Sequence, residues 1–212
     1  LPPHIKLAYL PSLGKVRLRL SAVGSDKEIL EKEVNDQVQL LMPLLGEIVY
    51  GIESEDILEV IVAKLLTQKK RTLSVAESCT GGKLAAAFTA IPGASAYFKG
   101  GVVAYETAQK SNLLGVSKSL IEQHSVVSKE VASAMALGVQ KLMGSDFAIA
   151  TTGNAGPTKG DSEAPLGTVC IAIAHPKGVY SEIFSMGNHR ERIVQKTVNK
   201  ALALLQKEII KF

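Results

Sequence analysis

The order of apolar and polar residues along the chain predicts a series of strands and helices. Residues 15–21 alternate polar and apolar side chains, which is typical of a half-buried strand. Ile57, Ile61 and Leu65 recur at the helical spacing, so we expect a helix that buries them as one stripe. Two apolar runs within residues 167–184, separated by a short turn, predict a β-hairpin. Strands that alternate with helices and end in a hairpin predict an α/β fold, a mixed β-sheet flanked by helices.

Capping residues predict where several helices begin and end. Ser25 and Glu28 have the spacing of a capping box, which predicts a helix with Ser25 as its N-cap that ends near Pro43 and Gly46. Ser128 is expected to cap a helix that stops at Gly144, because glycine tolerates the backbone conformation that ends a helix.

A change of pattern in the first quarter of the chain predicts two domains. Residues 47–52 have the apolar pattern of a strand, and Ser54 is a candidate N-cap for the helix that follows. We therefore expect a small α+β domain at residues 1–52 and a larger domain at residues 53–212.

Composition narrows the classes of function. The 212 residues are 46% hydrophobic, enough for a buried core, but only 5% aromatic, so side chains that could stack on nucleic-acid bases are scarce. Lys and Arg exceed Asp and Glu by 24 to 20, and the basic run at residues 69–71 is expected to close a helix. Two cysteines do not make a disulfide framework, and Cys170 lies in an apolar run that predicts a buried strand. Because we find no membrane-length apolar run and no signal peptide, we expect a cytoplasmic protein with no membrane partner.

A candidate nucleophile lies in a predicted turn between a strand and a helix. The turn follows the apolar residues 72–75 and precedes the alanine-rich residues 84–90. This layout places the Ser78 hydroxyl beside main-chain N–H groups that have no helical partner, an arrangement suited to acyl transfer. Ser78 is alternatively a helix cap, a role for which Thr80 competes, and Cys79 is a rival nucleophile.

A base for this hydroxyl has to come from elsewhere in the chain. None of the four histidines stands at a strand end with an acidic neighbour, so a Ser-His-Asp triad has little support. Lys110 follows a strand end and becomes a base if burial lowers its pKa. The alternative is an ordinary solvated lysine on a helix.

Other polar segments are candidates for binding. The glycine loop at residues 153–157 allows a close approach of a phosphate or a sugar, or is simply a turn. Arg190 and Arg192 begin the last predicted helix, where they are either solvated or meet an anion. The sequence contains none of the usual metal-ligand spacings, so we predict neither a metal nor a cofactor.

Four motifs carry a family resemblance: residues 76–82, Tyr105 with Lys110, residues 152–157 and residues 165–169. In this order they closely resemble the CinA C-terminal domain family, which includes the stand-alone nicotinamide-nucleotide amidase PncC. The resemblance covers about residues 53–209. The segment before it looks like the small KH-like middle domain of full-length CinA. The family's N-terminal domain, which is similar to molybdopterin-binding proteins, is then missing from this chain.

The resemblance implies an activity and a set of site residues. The activity is hydrolysis of nicotinamide mononucleotide to nicotinate mononucleotide and ammonia, a step of pyridine nucleotide salvage. Ser78, Lys110 and Tyr105 are then catalytic, with Ser78 as nucleophile and Lys110 as its base. Main-chain N–H groups and other substrate-binding contacts are expected at Thr80, Gly81, Gly82, Glu77, Gly153, Asn154, Ala155, Gly156, Arg190 and Arg192. We also expect a homodimer, with the small domain as a spacer or a dimer-forming element.

Two departures from the family and one alternative function accompany this prediction. Asn154 stands where the family usually has Ile, and Arg190 is displaced by one residue from a Gly-Asp-Arg pattern. The alternative is a non-catalytic module that binds a nucleotide or a nucleic acid, linked to competence or DNA damage. Residues 1–52 carry six Lys and Arg against six Asp and Glu and lack a G-x-x-G loop, so we do not expect nucleic-acid binding.

Overall fold

The computed structural model describes residues 1–12, 15–46, 49, 57–158 and 160–212. The chain divides into two compact units, Leu1–Glu55 and Asp56–Phe212. The predicted strand at residues 47–52 and the Ser54 cap rest on residues outside the described ones. The domain boundary predicted after residue 52 falls in the same segment and stays a prediction.

The described residues of the first unit form two paired strands followed by a helix. Strands β1 (Ile5–Ser12) and β2 (Lys15–Ala22) pair antiparallel, and helix α1 spans Lys27–Leu45. The strand predicted over residues 15–21 is thus confirmed. The predicted Ser25 cap is wrong, because Asp26 has the extended backbone of the N-cap. Its carboxylate accepts hydrogen bonds from the N–H groups two and three residues later, at 3.0 and 3.1 Å.

The second unit is a five-stranded mixed sheet with helices between the strands. Its elements are α2 (Leu58–Gln68), β3 (Leu73–Glu77), α3 (Lys83–Thr89), β4 (Phe98–Val103), α4 (Thr107–Leu114), α5 (Lys118–His124), α6 (Lys129–Met143), β5 (Phe147–Gly153), β6 (Thr168–His175), β7 (Gly178–Ser185) and α7 (Arg190–Lys211). The strand order is β4-β3-β5-β6-β7. β3 is parallel to β4 and β5, whereas β6 is antiparallel to β5 and β7. The predicted mixed sheet flanked by helices, the hairpin and the Ser128 cap of α6 are confirmed.

The two faces of the sheet carry residues of different size. In β5, Phe147 and Ile149 face the cluster that contains α2 and α7, and Ala148 and Ala150 face the cluster that contains α6. This alternation follows the two-residue period of a strand, and the alanines leave room for α6. Cys170 belongs to the α6 side and is fully buried, as the sequence predicts.

The buried stripe of α2 differs from the prediction by one residue. Ile57 is the N-cap and is 43% exposed, and the helix begins after it. Ile61 and Leu65 are only partly buried. The positions that enter the core each come one residue later: Leu58, Val62 and Leu66.

Helix α7 illustrates how the helices of the second unit meet the sheet. Ile193, Ala201, Leu202 and Leu205 are fully buried against the core, while charged residues occupy its outer face. In the described part of the chain, no helix has both the length and the apolarity needed to cross a bilayer.

Candidate active site

The carboxyl ends of β3, β4 and β5 meet at one edge of the sheet. β3 lies between the other two and is parallel to both. Ser78 follows β3, Tyr105 comes two residues after β4, and Asn154 follows β5. In open α/β sheets, ligands bind in the crevice beyond such strand ends, where the connections diverge to either side. A cleft of ≈ 310 Å³ lies at this edge and is lined by all three residues.

Ser78 and Lys110 form a buried pair at the base of this cleft. Lys110 Nζ donates to Ser78 Oγ at 3.2 Å and to the carbonyl oxygen of Ala104 at 3.0 Å. Lys110 is only 1% exposed, and this burial lowers the pKa of its ammonium group. Lys110 is therefore not a solvated helix lysine. Once deprotonated, its amine is a base within hydrogen-bond reach of the Ser78 hydroxyl.

The backbone around Ser78 is fixed by the neighbouring strand and by a carboxylate. Ser78 N–H donates to the carbonyl oxygen of Thr151 on β5, at 3.0 Å. Glu77 is fully buried, and its carboxylate accepts from the N–H groups of Gly82, Leu84 and Ala85 at 2.8–3.0 Å. The carboxylate thus caps α3 and sits where the helix dipole favours a negative charge. These three bonds commit the Glu77 carboxylate to the helix, and its contact with substrate stays a prediction.

The turn between β3 and α3 uses most of its own N–H groups. Gly82 begins α3 with φ of 97°, a left-handed conformation that glycine adopts without strain, and its N–H is bound to Glu77. The N–H of Gly81 donates to the carbonyl oxygen of Ser78 at 3.1 Å. The expectation that these two groups are unpaired oxyanion donors is therefore wrong. The N–H of Cys79 makes no hydrogen bond to another described residue.

Thr80 and Cys79 are both buried but face different surroundings. Thr80 is 2% exposed, and its hydroxyl lies 2.8 Å from the Thr151 hydroxyl, so it ties the turn to β5. Cys79 lines the cleft, and burial raises the pKa of its thiol to about 12. A thiol with this pKa is protonated at neutral pH, which removes the thiolate that would compete with Ser78.

The glycine loop after β5 forms one wall of the cleft. Gly153, Asn154, Ala155 and Gly156 all line it. The Asn154 side-chain amide donates to the carbonyl oxygen of Ala164 at 2.6 Å, and its main-chain N–H and C=O bond Thr168 and Gly167 across the base of the loop. Asn154 therefore ties the start of the segment between β5 and β6 to the end of that segment.

Arg190 connects the glycine loop to Tyr105 at the mouth of the cleft. Its guanidinium donates to the carbonyl oxygen of Gly156 at 2.6 Å and to the Tyr105 hydroxyl at 2.8 Å. Tyr105 is 58% exposed and lines the cleft. Arg192 is exposed and is not among the residues that line the cleft, so its contact with the substrate stays a prediction.

The structure brings together eight of the residues that the sequence and the resemblance select. These are Ser78, Tyr105, Lys110, Gly153, Asn154, Ala155, Gly156 and Arg190. It also adds three polar residues that the sequence does not single out, Thr107, Thr158 and Asp161. The side chains of Thr107 and Asp161 share a hydrogen bond of 2.7 Å. Thr107 lies one helical turn before Lys110, which is the one sequence signal that could have selected it.

Comparison with known proteins places this site in a family. Residues 55–209 match the family model described as the CinA C-terminal domain. The chain belongs to the CinA family. The resemblance recognised in the sequence is thus confirmed, whereas the KH-like character of the first unit stays a prediction.

Relatives with similar sequences carry CinA names. A CinA-like protein of Flavobacterium psychrophilum is 54% identical over 211 residues, which cover 100% of this chain and 50% of that protein. A CinA-like protein of Cytophaga hutchinsonii is 39% identical over 209 residues, or 99% of this chain and 50% of that protein. The chain spans about half the length of these curated relatives.

Solved structures of the CinA superfamily share the fold. A crystal structure of a superfamily member from Klebsiella pneumoniae matches with a TM-score of 0.71 and 34% identity, covering 73% of this chain and 97% of that one. A superfamily member from Escherichia coli matches with a TM-score of 0.68 and 32% identity, covering 77% of this chain and 98% of that one. The α/β fold predicted for this CinA-family chain therefore agrees with its relatives.

Proposed function

We propose that the second unit of this CinA-family chain is a nicotinamide-nucleotide amidase, which hydrolyses nicotinamide mononucleotide to nicotinate mononucleotide and ammonia. One observation carries the proposal: a buried lysine amine lies 3.2 Å from a serine hydroxyl, at the base of a cleft. Hydrolysis of a carboxamide requires a nucleophile, a base that later acts as an acid, and a donor for the oxyanion. The cleft offers a candidate for each.

The first half of the reaction transfers the acyl group to the enzyme. Ser78 Oγ attacks the carboxamide carbon while neutral Lys110 takes the hydroxyl proton. A C–O bond forms, and the electron pair of the C=O bond moves to oxygen, which gives a tetrahedral oxyanion. Lys110, now an ammonium, returns the proton to the amide nitrogen as the C–N bond breaks. Ammonia leaves, and an ester joins the substrate to Ser78.

The second half releases the acid. Lys110, neutral again, takes a proton from a water molecule that attacks the ester carbon. The C–O bond to Ser78 breaks, and the proton on Lys110 passes to Ser78 Oγ. The products are nicotinate mononucleotide and the free enzyme, so the sequence of steps requires no cofactor.

The oxyanion needs a donor close to the nucleophile. We assign this role to the main-chain N–H of Cys79, which follows Ser78 directly and makes no bond to another described residue. In strand-turn-helix nucleophile sites, the N–H of the residue after the nucleophile takes this role. One such donor is typically worth about 3 kcal/mol of transition-state stabilisation.

Arg190 and Tyr105 are assigned to the nucleotide end of the substrate. Arg190 brings a guanidinium to the mouth of the cleft, where a phosphate is a better acceptor than the neutral groups that it now binds. Displacement of the Tyr105 hydroxyl from Arg190 would free the phenol to orient the substrate. The homodimer and the cytoplasmic location stay predictions.

The proposal is tested by following ammonia after the purified chain is mixed with nicotinamide mononucleotide. We expect turnover by the unaltered chain and a loss of at least about 1,000-fold with Ser78→Ala, because the residual rate no longer includes nucleophilic catalysis. Cys79→Ala is the matched control in the adjacent residue and is expected to keep most of the activity. Undiminished release by Ser78→Ala would refute the mechanism, and no release by the unaltered chain would favour a non-catalytic nucleotide-binding module.

A further inference from the structure

The cleft contains one carboxylate among its described lining residues, that of Asp161. Asp161 Oδ2 accepts a hydrogen bond from Thr107 Oγ1 at 2.7 Å. Thr107 and Lys110 both lie on α4 and are three residues apart, so they share one face of the helix. The bond to Thr107 therefore brings the Asp161 carboxylate to the side of the cleft where Lys110 and Ser78 meet.

The electrostatics of the lysine agree with this placement. Burial lowers the pKa of Lys110, and Cys79 and, to a smaller extent, the Asp161 carboxylate oppose that shift. An opposite charge has this effect only when it lies near the titrating group. The contact that places this charge on the Lys110 side of the cleft is the bond to Thr107, one helical turn before Lys110.

The loop that carries Asp161 is anchored directly after it. Ser162 is only 4% exposed, and its hydroxyl lies 3.3 Å from the Ser125 hydroxyl. The same hydroxyl accepts from the N–H of Ala164 at 3.1 Å. Asp161 itself is exposed, and its place beside the cleft is fixed by its bond to Thr107 and by the buried, bonded residue that follows it.

The charges of the described cleft residues have a definite arrangement when Lys110 is neutral. Asp161 is negative beside Thr107, on the side of the cleft that Lys110 shares, and Arg190 is positive beside Gly156 and Tyr105. A ligand with a cationic ring at its carboxamide end and an anionic group at its other end matches both charges. A ligand with a neutral ring matches only one of them.

We propose that Asp161 determines specificity, by favouring carboxamides on a positively charged ring, such as an N-substituted pyridinium, over carboxamides on a neutral ring. This inference rests on the proposed function in one respect, that a pyridine carboxamide nucleotide is bound with its ring near Ser78. The inference names a residue that distinguishes a charged ring from a neutral one. Neither the sequence motifs nor the Ser78–Lys110 pair supplies such a residue.

Two ligands that differ in ring charge test the inference. They are nicotinamide mononucleotide and its reduced 1,4-dihydro form, whose ring is neutral. Dissociation constants are measured on the full chain with Ser78→Ala, which prevents turnover, with and without Asp161→Asn. We expect Asp161→Asn to raise the dissociation constant of the oxidised ligand about 10-fold, as for the loss of one charged contact. The dissociation constant of the reduced ligand should rise less than about 2-fold.

A matched control separates ring recognition from loop structure. Glu163→Gln removes the same charge from the same loop, at an exposed residue that does not line the cleft, and should leave both constants unchanged. Equal weakening of both ligands by Asp161→Asn would mean a structural role and overturn the inference. The inference would also be overturned if Asp161→Asn left the ratio of the two dissociation constants, reduced to oxidised ligand, unchanged, or if neither ligand bound.

The amidase proposal and this inference can fail separately. If the unaltered chain releases ammonia and Asp161→Asn does not change the ratio of the two dissociation constants, only the role of Asp161 is refuted. If Asp161→Asn lowers the ratio of the dissociation constants, reduced to oxidised ligand, but the unaltered chain releases no ammonia, the amidase proposal is refuted. Asp161 would then distinguish ring charge in a binding site.

Discussion

Ser78 and Cys79 are neighbours in the chain, and the fold gives their reactive atoms different surroundings. The Ser78 hydroxyl is bonded to the Lys110 amine, whereas burial raises the pKa of the Cys79 thiol to about 12. A thiol is intrinsically the stronger nucleophile, but only as the thiolate. At the scale of single residues, the environment therefore favours the weaker nucleophile, because that one has a base.

Glu77 has an equally local effect on the site. It is the last residue of β3, and its fully buried carboxylate accepts three N–H bonds from the first turn of α3. These bonds fix the turn between β3 and α3, and the turn in turn positions the neighbouring Ser78 hydroxyl. The sequence shows the acidic residue but not that the helix start occupies both of its oxygens.

We predict that Glu77→Gln lowers the free energy of unfolding by about 2 kcal/mol, since it loses charge-assisted hydrogen bonds and turns an amide NH₂ towards N–H donors. Urea denaturation measures the change. Glu122→Gln, at an exposed residue of α5, serves as the control and should stay within about 0.5 kcal/mol of the unaltered chain. Equal stability of the two variants would show that the Glu77 cap does not stabilise the fold.

At the scale of elements, strong local patterns predict strand β2, the start of helix α6 and the hairpin of β6 and β7. The strict alternation of residues 15–21 and the Ser128 cap appear in the structure as predicted. β1 was not predicted, because Ile5–Ser12 has an irregular burial pattern and is defined by its pairing with β2. The seven-residue helix α5 was not predicted either.

The candidate site shows the same division between local and distant information. Ser78 and Lys110 could be selected because they follow predicted strand ends, whereas Tyr105 was selected through the family resemblance alone. Asp161 and its bond to Thr107 could not, because 54 residues separate the two and no local pattern joins them. Residues that act through contacts across loops are visible only once the fold is known.

At the scale of the whole molecule, the two units differ in what they carry. All residues that line the cleft belong to the unit Asp56–Phe212. The solved superfamily structures from Klebsiella pneumoniae and Escherichia coli match 73% and 77% of this chain and nearly the whole of their own chains. We therefore expect the second unit to carry the chemistry proposed for the site.

We predict that a fragment comprising residues 56–212 releases ammonia from nicotinamide mononucleotide with a kcat/KM within about 3-fold of the whole chain, because the residues that line the cleft lie in this fragment. A change of about 3-fold in kcat/KM corresponds to about 0.7 kcal/mol of transition-state stabilisation. Circular dichroism and thermal unfolding confirm that the fragment is folded. A folded fragment that has lost activity would show that the first unit contributes to the site.

The central claim is that Lys110 acts as the base of Ser78 in its neutral form, and the pH dependence of ammonia release tests it most directly. Burial lowers the pKa of Lys110, so kcat/KM should rise with pH through a value below the ordinary lysine pKa of about 10.4 and then level off. It should fall as the pH drops through that value, because the amine is then protonated. Lys110→Arg, whose guanidinium stays charged, should be inactive throughout. A profile that is flat, or that rises only near pH 10.4, would contradict a buried neutral lysine as the base.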